Sequence, residues 1–456
     1  MIKLDRSALK PMKFPGCDHR QLPRRQVASC KLASIAILGS GPSEIYKSLA
    51  ADRRGRAGSK ERQAGGPNLI MTHSTKLRRL VVISDFQAGD TFSASVPTIE
   101  EFCHQWGSGA RGQPVDTVNE RHGFAVEGGY IERLPLACLK AGIVDAVEVW
   151  THWRGDHAPQ ADLRAAPRLI RRSFQMNGPE EPISSNDMMA HILTFGPPDI
   201  LCVWGLGVSQ DLLTACKNSF KIYNSIDAPA LRIPPEVSRH FDLVLTGAAW
   251  QSDEVSSRHP GMKTAILPIG PEFASDTMFF PIDGPKPYDI IYVAAAQNYK
   301  RHDILFHALA RLPRSVRALC VFGYGEMASD LRARASDMQI NVDFIGPPGV
   351  PFVEVNRLMN QAKIGVVCGI DDGAPAILTE YMLAGLPVLA NSALSCGLQY
   401  ITPQTGRAAS SDEFHESISE MLATLSVFSP RQMVIDNWTW PHSVRKLQAL
   451  IGFEAH

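Results

Sequence analysis

From position 77 the chain alternates short apolar runs with stretches whose apolar residues recur every three to four positions, the sign of an α/β architecture on parallel sheets. Residues 80–86 (LVVISDF) open the series as a buried strand, and a long polar connection follows. Gly128 and Gly129 then lead into a helical segment running to Gly142. A kink or a late start is expected there, because Pro135 lacks the N–H that a helix interior uses. Further strands are expected at 144–150 (VDAVEVW), 199–204 (DILCVW), 221–226 (KIYNSI) and 241–245 (FDLVL). Residues 264–267 (TAIL) then enter Pro268-Ile269-Gly270.

Residues 279–288 (FFPIDGPKPY) are rich in Pro and Gly and mark a domain boundary. A second series of similar units follows. Residues 289–294 (DIIYVA) read as a strand, and Ile304, Leu305, Ala308, Leu309 and Leu312 trace one face of a helix. Strands at 318–322 and 342–345 end at Gly323-Tyr324-Gly325 and Gly346-Pro347-Pro348. Residues 364–368 (IGVVC) are continuously apolar, as a strand covered on both faces is. A helix over 375–384 and a strand at 388–390 complete the repeat. The pattern predicts two doubly wound, Rossmann-like domains facing an interdomain cleft: a first domain over 71–279 and a second over 288–436.

Residues 1–70 do not share this pattern. The stretch 52–68 (DRRGRAGSKERQAGGPN) is polar, basic and Gly-rich, so a disordered leader is expected, with ordinary globular sequence starting near Met71. Residues 35–44 (IAILGSGPSE) look like a strand entering a Gly-x-Gly turn, but the third glycine of a dinucleotide-binding loop is missing. The formal net charge of zero conceals an asymmetry. Residues 1–66 hold 14 Lys and Arg against 5 Asp and Glu, and the remainder is acidic by the same margin. An acidic body argues against a nucleic-acid surface, which needs clustered cations. Nine cysteines without a C-x-x-C pair fit a reducing, cytoplasmic compartment better than a disulfide framework or a zinc site. No Asp-x-Asp sequence stands where a metal would be held, and no metal is expected.

In open α/β sheets ligands bind beyond the carboxyl ends of strands. Asp371-Asp372-Gly373-Ala374-Pro375 follows the strand at 364–368 and precedes a helix. With Pro375 at the first helical position, the amides of Gly373 and Ala374 are free to face an anion. Glu380, expected in the second turn, could accept hydrogen bonds from sugar or ribose hydroxyls. Lys300 lies on the same sheet edge and offers a point cation for a diphosphate; Arg301 beside it either helps or is simply solvated.

These residues, taken in order, resemble the group 1 glycosyltransferases, a large retaining class with the GT-B fold. Residues 380–390 (EYMLAGLPVLA) resemble the family signature, and Asp372 with Glu380 its pair of acids with seven residues between them, Asp replacing the first Glu. Lys300-Arg301-His302-Asp303 resembles its lysine loop, and 321–326 (VFGYGE) and 342–346 (VDFIG) the strand ends that follow. Asn437-Trp438-Thr439-Trp440 resembles the aromatic stretch before a last helix, here 441–456, which packs back on the first domain.

The resemblance implies transfer of a sugar from a nucleotide-diphosphate donor, UDP- or GDP-linked, to an acceptor hydroxyl with retention, and no further cofactor. The second domain would bind the donor and the first the acceptor. Lys300 would hold the diphosphate, Asp372 the donor sugar and Glu380 the ribose. Gly373 and Ala374 would face sugar and phosphate, and the loop from Gly346 would meet the base. Such enzymes often build polysaccharides or glycolipids from the cytoplasmic side, so a carbohydrate or lipid-linked acceptor and peripheral membrane association are implied by analogy. An epimerase or phosphorylase on the same fold, or a non-catalytic nucleotide-sugar-binding partner, stays open. Two departures motivate the last reading. Ala294-Ala295 stand where members commonly carry Gly-Arg, and Val203-Trp204-Gly205 where many carry a histidine. His152 and His157 (THWRGDH) are candidates for that histidine's place, against the plainer reading of surface histidines on a polar loop.

Overall fold

The computed structural model of the chain describes residues 78–88, 126, 129–154, 163–166 and 169–452. The leader 1–70 and His157 lie outside the described residues.

Two sheets carry the fold. The first is built from β1 (Arg79–Ala88), β2 (Ala146–Trp153), β3 (Leu163–Ala166), β4 (Leu169–Gln175), β5 (Ile200–Trp204), β6 (Phe220–Asn224), β7 (Leu243–Thr246) and β8 (Lys263–Ile266). Its spatial order is β3-β4-β2-β1-β5-β6-β7-β8, parallel throughout except for β3, which runs antiparallel to β4. The second holds β9 (Ile290–Val293), β10 (Ala318–Val321), β11 (Val342–Ile345), β12 (Ile364–Val367), β13 (Val388–Asn391) and β14 (Gly406–Ala409), all parallel in the order β11-β10-β9-β12-β13-β14. Strands such as β5 and β12 are buried along their whole length, which explains their unbroken apolar sequence.

In each sheet the strand order reverses beside the first strand of the series, between β1 and β5 and between β9 and β12. A doubly wound sheet opens a crevice at that point, beyond the strands' carboxyl ends, because successive helices leave for opposite faces. The topology therefore places the segments after β1, β5, β9 and β12 at ligand-binding positions before any side chain is considered.

Three strands were not evident in the sequence. In β4 (LIRRSFQ) the charged residues hide the strand pattern, yet Arg171 Nε binds Glu132 at 2.5 Å and Arg172 Nε binds Glu148 at 2.7 Å. β3 (LRAA) and β14 (GRAA) carry little of the β-branched or aromatic content that marks strands. The helix Tyr130–Lys140 keeps Pro135 inside it. The helix expected from Pro375 starts at Ile377 instead, so Glu380 stands in its first turn.

The last helix, Trp440–Ile451, places Val444, Leu447 and Ile451 in the core of the first lobe, against Tyr130–Lys140. Its Ser443 and Lys446 bind the buried Glu272 carboxylate at 2.9 and 3.2 Å, and Tyr400 of the second lobe reaches the same carboxylate at 3.4 Å. The six described cysteines are free and buried. Among the described residues, no helix is long and apolar enough to cross a membrane.

Candidate active site

A cleft of about 490 Å3 lies between the two lobes and is lined from both. On the second-lobe side, the 3-10 turn Asn298–Lys300 follows β9, and the buried Tyr292 hydroxyl donates to the Lys300 carbonyl. Arg301 takes left-handed backbone (φ 51°) and turns the chain into the helix His302–Arg311. The Lys300 ammonium donates to the Asp372 carboxylate and lies 4.7 Å from the centre of the Tyr299 ring. An opposite charge this close keeps the cation in the cleft when no ligand is present.

After β12, the loop through Gly373 and Ala374 runs against the first lobe. A side chain at residue 373 would collide with the Ile226 carbonyl, so the close crossing needs glycine there. Ala374 has φ 58°, a conformation that L-residues with a Cβ rarely take. The Glu380 carboxylate, 7% exposed, accepts from Arg133 Nη2. Arg133 reaches across from Tyr130–Lys140, is 1% exposed, and donates its other terminal nitrogen to the Gly270 carbonyl at 2.7 Å.

The first-lobe side consists of strand ends. Asp85 stands near the end of β1, Trp204 ends β5, and Asn224, Ser225 and Asp227 follow one another at the end of β6. Burial, reinforced by the negative charge of Asp227 and opposed by the Arg232 guanidinium, pushes the Asp85 carboxyl up to about 7. Arg232 itself donates to Asp227 at 3.1 Å and approaches Glu181 at 3.8 Å.

Residues 276–425 match the family model described as glycosyl transferases, group 1. They form a group 1 glycosyltransferase domain. The fold of the chain is GT-B, as in the solved structures it resembles. Sucrose-phosphate synthase from Thermosynechococcus elongatus is 15% identical, with a TM-score of 0.57 over 82% of this chain and 98% of that one. HepE from Anabaena, solved with UDP and glucose, is 12% identical, with a TM-score of 0.55 over 82% and 99%. Against the pneumococcal O-GlcNAc transferase GtfA, the chain spans 59% of that protein's length and 58% of its own, at 12% identity and a TM-score of 0.47. No curated protein sequence matches.

Lys300, Asp372, Gly373, Ala374 and Glu380 all line the one cleft. Two other expected donor residues do not. Arg301 is held by Asp303 through two bonds of 2.9 Å and faces a separate depression with His307, Arg311 and His415. Gly346 gives its carbonyl to Arg332, and it is Gly349 and Val350 of the same loop that reach the cleft. His152 is neither a surface residue nor a cleft residue. It is buried beside the backbone of Ser84 and Phe86, where burial holds its pKa near about 4 and keeps the ring neutral.

Sequence reasoning missed Arg133, Asp85 and Asp227. Asp85 carried a usable signal, an acid at the carboxyl end of an apolar strand. Arg133, inside a helix with no motif around it, carried none.

Proposed function

We propose that the protein transfers a sugar from a nucleotide-diphosphate sugar to an acceptor hydroxyl with retention of configuration, the second lobe holding the donor. The observation that carries this reading is the convergence of the Lys300 ammonium, the loop at Gly373 and Ala374, and the Glu380 carboxylate on one cleft. As the glycosidic bond of the donor breaks, negative charge grows on the departing diphosphate while the sugar becomes oxocarbenium-like. Lys300 then exchanges Asp372 for the diphosphate, and Asp372 is released to the donor-sugar hydroxyls. A cation already aimed at the leaving oxygen needs no reorganisation as charge develops.

The helix after the loop has only seven residues, so anion binding falls to the Gly373 and Ala374 amides more than to a helix dipole. Glu380 accepts hydrogen bonds from the ribose hydroxyls while Arg133 holds its carboxylate in place. UDP or GDP is the nucleotide; the UDP and glucose held by HepE favour UDP. A carbohydrate or lipid-linked acceptor, met at the cytoplasmic face of a membrane during polysaccharide or glycolipid synthesis, completes the reading.

Thermal unfolding in the presence of UDP, GDP and ADP tests it. At a hundredfold excess over its dissociation constant, a ligand of the native state stabilises by about 2.7 kcal/mol. UDP or GDP should raise the melting temperature. If none of the three moves it, the proposal is wrong.

A further inference from the structure

We infer that Asp85, with Asn224 and Ser225 beside it, selects an uncharged, hydroxyl-bearing glycoside as the acceptor, the Asp85 carboxylate holding the reacting hydroxyl. The inference rests on the glycosyl-transfer reading and adds the class of acceptor and the residue that receives it.

Position comes first. Asp85 extends from β1, the strand beside the reversal of the first sheet, where a ligand crevice opens. Its carboxyl has room because residue 205, just past β5, is glycine with φ 46°. A Cβ there would overlap Asp85 Oδ2, so the carboxyl occupies the volume a side chain would fill. The carboxyl thus sits at the end of two adjacent strands.

A second observation is independent of the acid. Asn224 and Ser225, only 2% and 3% exposed, both line the cleft, and among the described residues neither Asn224 Oδ1 nor Ser225 Oγ has a hydrogen-bond partner. Buried polar atoms are nearly always paired, so two left unpaired beside a cavity call for a partner, which a ligand in that cavity can supply. A polyhydroxylated ligand matches them: its hydroxyls can donate to Asn224 Oδ1 and accept from Ser225 Oγ.

Charge then selects among hydroxyl-bearing ligands. Asp85 is faced by Asp227 and Glu181 and by the Tyr223 phenol, with Arg232 as the counter-charge. That guanidinium is already engaged by Asp227 and Glu181. Among the described residues lining the cleft, Lys300 is the only cation, and it belongs to the second lobe. Among the described residues, a phosphorylated or carboxylated acceptor would meet an excess of negative charge on this wall; a neutral glycoside would not.

In the transfer step the acceptor oxygen bonds to the anomeric carbon as the bond from that carbon to the diphosphate oxygen breaks. The bonding pair leaves on the diphosphate, which takes the hydroxyl proton. Asp85 keeps its hydrogen bond to the acceptor and sets its angle of approach. Only the ionised carboxylate makes the charge-assisted form of this bond. Because burial and Asp227 push Asp85 up to about 7, acceptor affinity should rise with pH through neutrality.

Asp85→Asn and Ser225→Ala test the inference on the full chain. UDP binding is measured by calorimetry, and transfer is assayed with neutral alkyl glycosides and with the same glycosides carrying a 6-phosphate. The wild type should prefer the neutral series. Asp85→Asn should lower kcat/KM for the acceptor by about 10- to 100-fold, the weight of a hydrogen bond to a charged group, and abolish the pH dependence of acceptor KM near 7. UDP affinity should stay unchanged. Ser225→Ala, which removes an atom with no protein partner, should keep the melting temperature while acceptor KM rises. A preference for the phosphorylated series, or an Asp85→Asn enzyme with wild-type acceptor kinetics and pH profile, overturns the inference and leaves donor transfer standing. Failure of the wild type to bind any nucleotide removes the underlying reading as well.

Discussion

On the second-lobe wall three charged groups of the cleft arrive already paired, Lys300 with Asp372 and Glu380 with Arg133. On the first-lobe wall Asn224 Oδ1 and Ser225 Oγ stand without partners among the described residues, and the Asp85 carboxyl lies near the like charge of Asp227. Both walls sit at the same kind of place, the strand-order reversal of a doubly wound sheet, so the difference is not one of topology. It is a difference in what holds the polar groups while the cleft is empty. A wall whose ions satisfy one another stays in its binding geometry, and a ligand has to replace one partner. A wall of unpaired groups gains most when the ligand itself supplies the partner. The first arrangement suits a highly charged donor and the second a neutral acceptor.

The sharpest way to break the comparison is through Arg133, because this first-lobe residue supplies the counter-charge for a second-lobe acid. Replacing it with methionine leaves the buried Glu380 carboxylate without its guanidinium. Removing one partner of a buried pair typically costs about 3–5 kcal/mol. Arg133→Met should therefore be the most destabilising change at the cleft. Arg133→Met combined with Glu380→Gln should recover part of the loss, since the amide carries no charge to strand. Denaturant unfolding of the two singles and the double closes the cycle, and a coupling near zero would mean the pair does not tie the lobes together.

Lys300→Ala comes next. Losing one donor aimed at developing charge costs roughly 10²–10³ in kcat. If the ammonium serves the leaving diphosphate, kcat falls by that factor while the fold survives, because the lysine's protein partner, Asp372, is only partly buried and can turn to water. A fall confined to donor KM would instead put Lys300 in ground-state binding alone.

The same contrast explains what could be seen in the chain before its structure. The second lobe was legible because its site is local: Asp372 and Glu380 stand on one loop-helix unit, and Lys300 is one short turn past a strand. Arg301 and Gly346 do not line the cleft for a physical reason also local to them, since Asp303 captures the guanidinium and Arg332 the carbonyl. The first lobe was less legible. Its wall draws on β1 and, more than a hundred positions later, on β5 and β6, and only parallel pairing brings their ends together. Its edge strands β3 and β4 were hidden as well, because charges in β4 that read as surface are neutralised by Glu132 and Glu148. Arg133 could not be found at all, since its meaning depends on a partner 247 positions away.

The smallest effect is expected at Ala374, whose backbone joins the two walls. A left-handed alanine carries about 1–2 kcal/mol of strain relative to glycine. Glycine would remove that strain, but it loses a buried methyl worth about 0.8 kcal/mol and adds about 0.5–1 kcal/mol of unfolded-state freedom. These contributions nearly cancel, so Ala374→Gly should leave the unfolding free energy within about 1 kcal/mol of wild type. Donor affinity is the more informative readout. If the alanine's restricted backbone keeps the 373–374 amides aimed at the donor, glycine should weaken UDP binding a few-fold at unchanged stability. If the substitution is strongly destabilising instead, the methyl contributes more than the strain it imposes, through its packing near Gly247 of the first lobe. The loop would then be a contact between lobes more than a donor cradle, and the division of labour between the two walls would have to be redrawn.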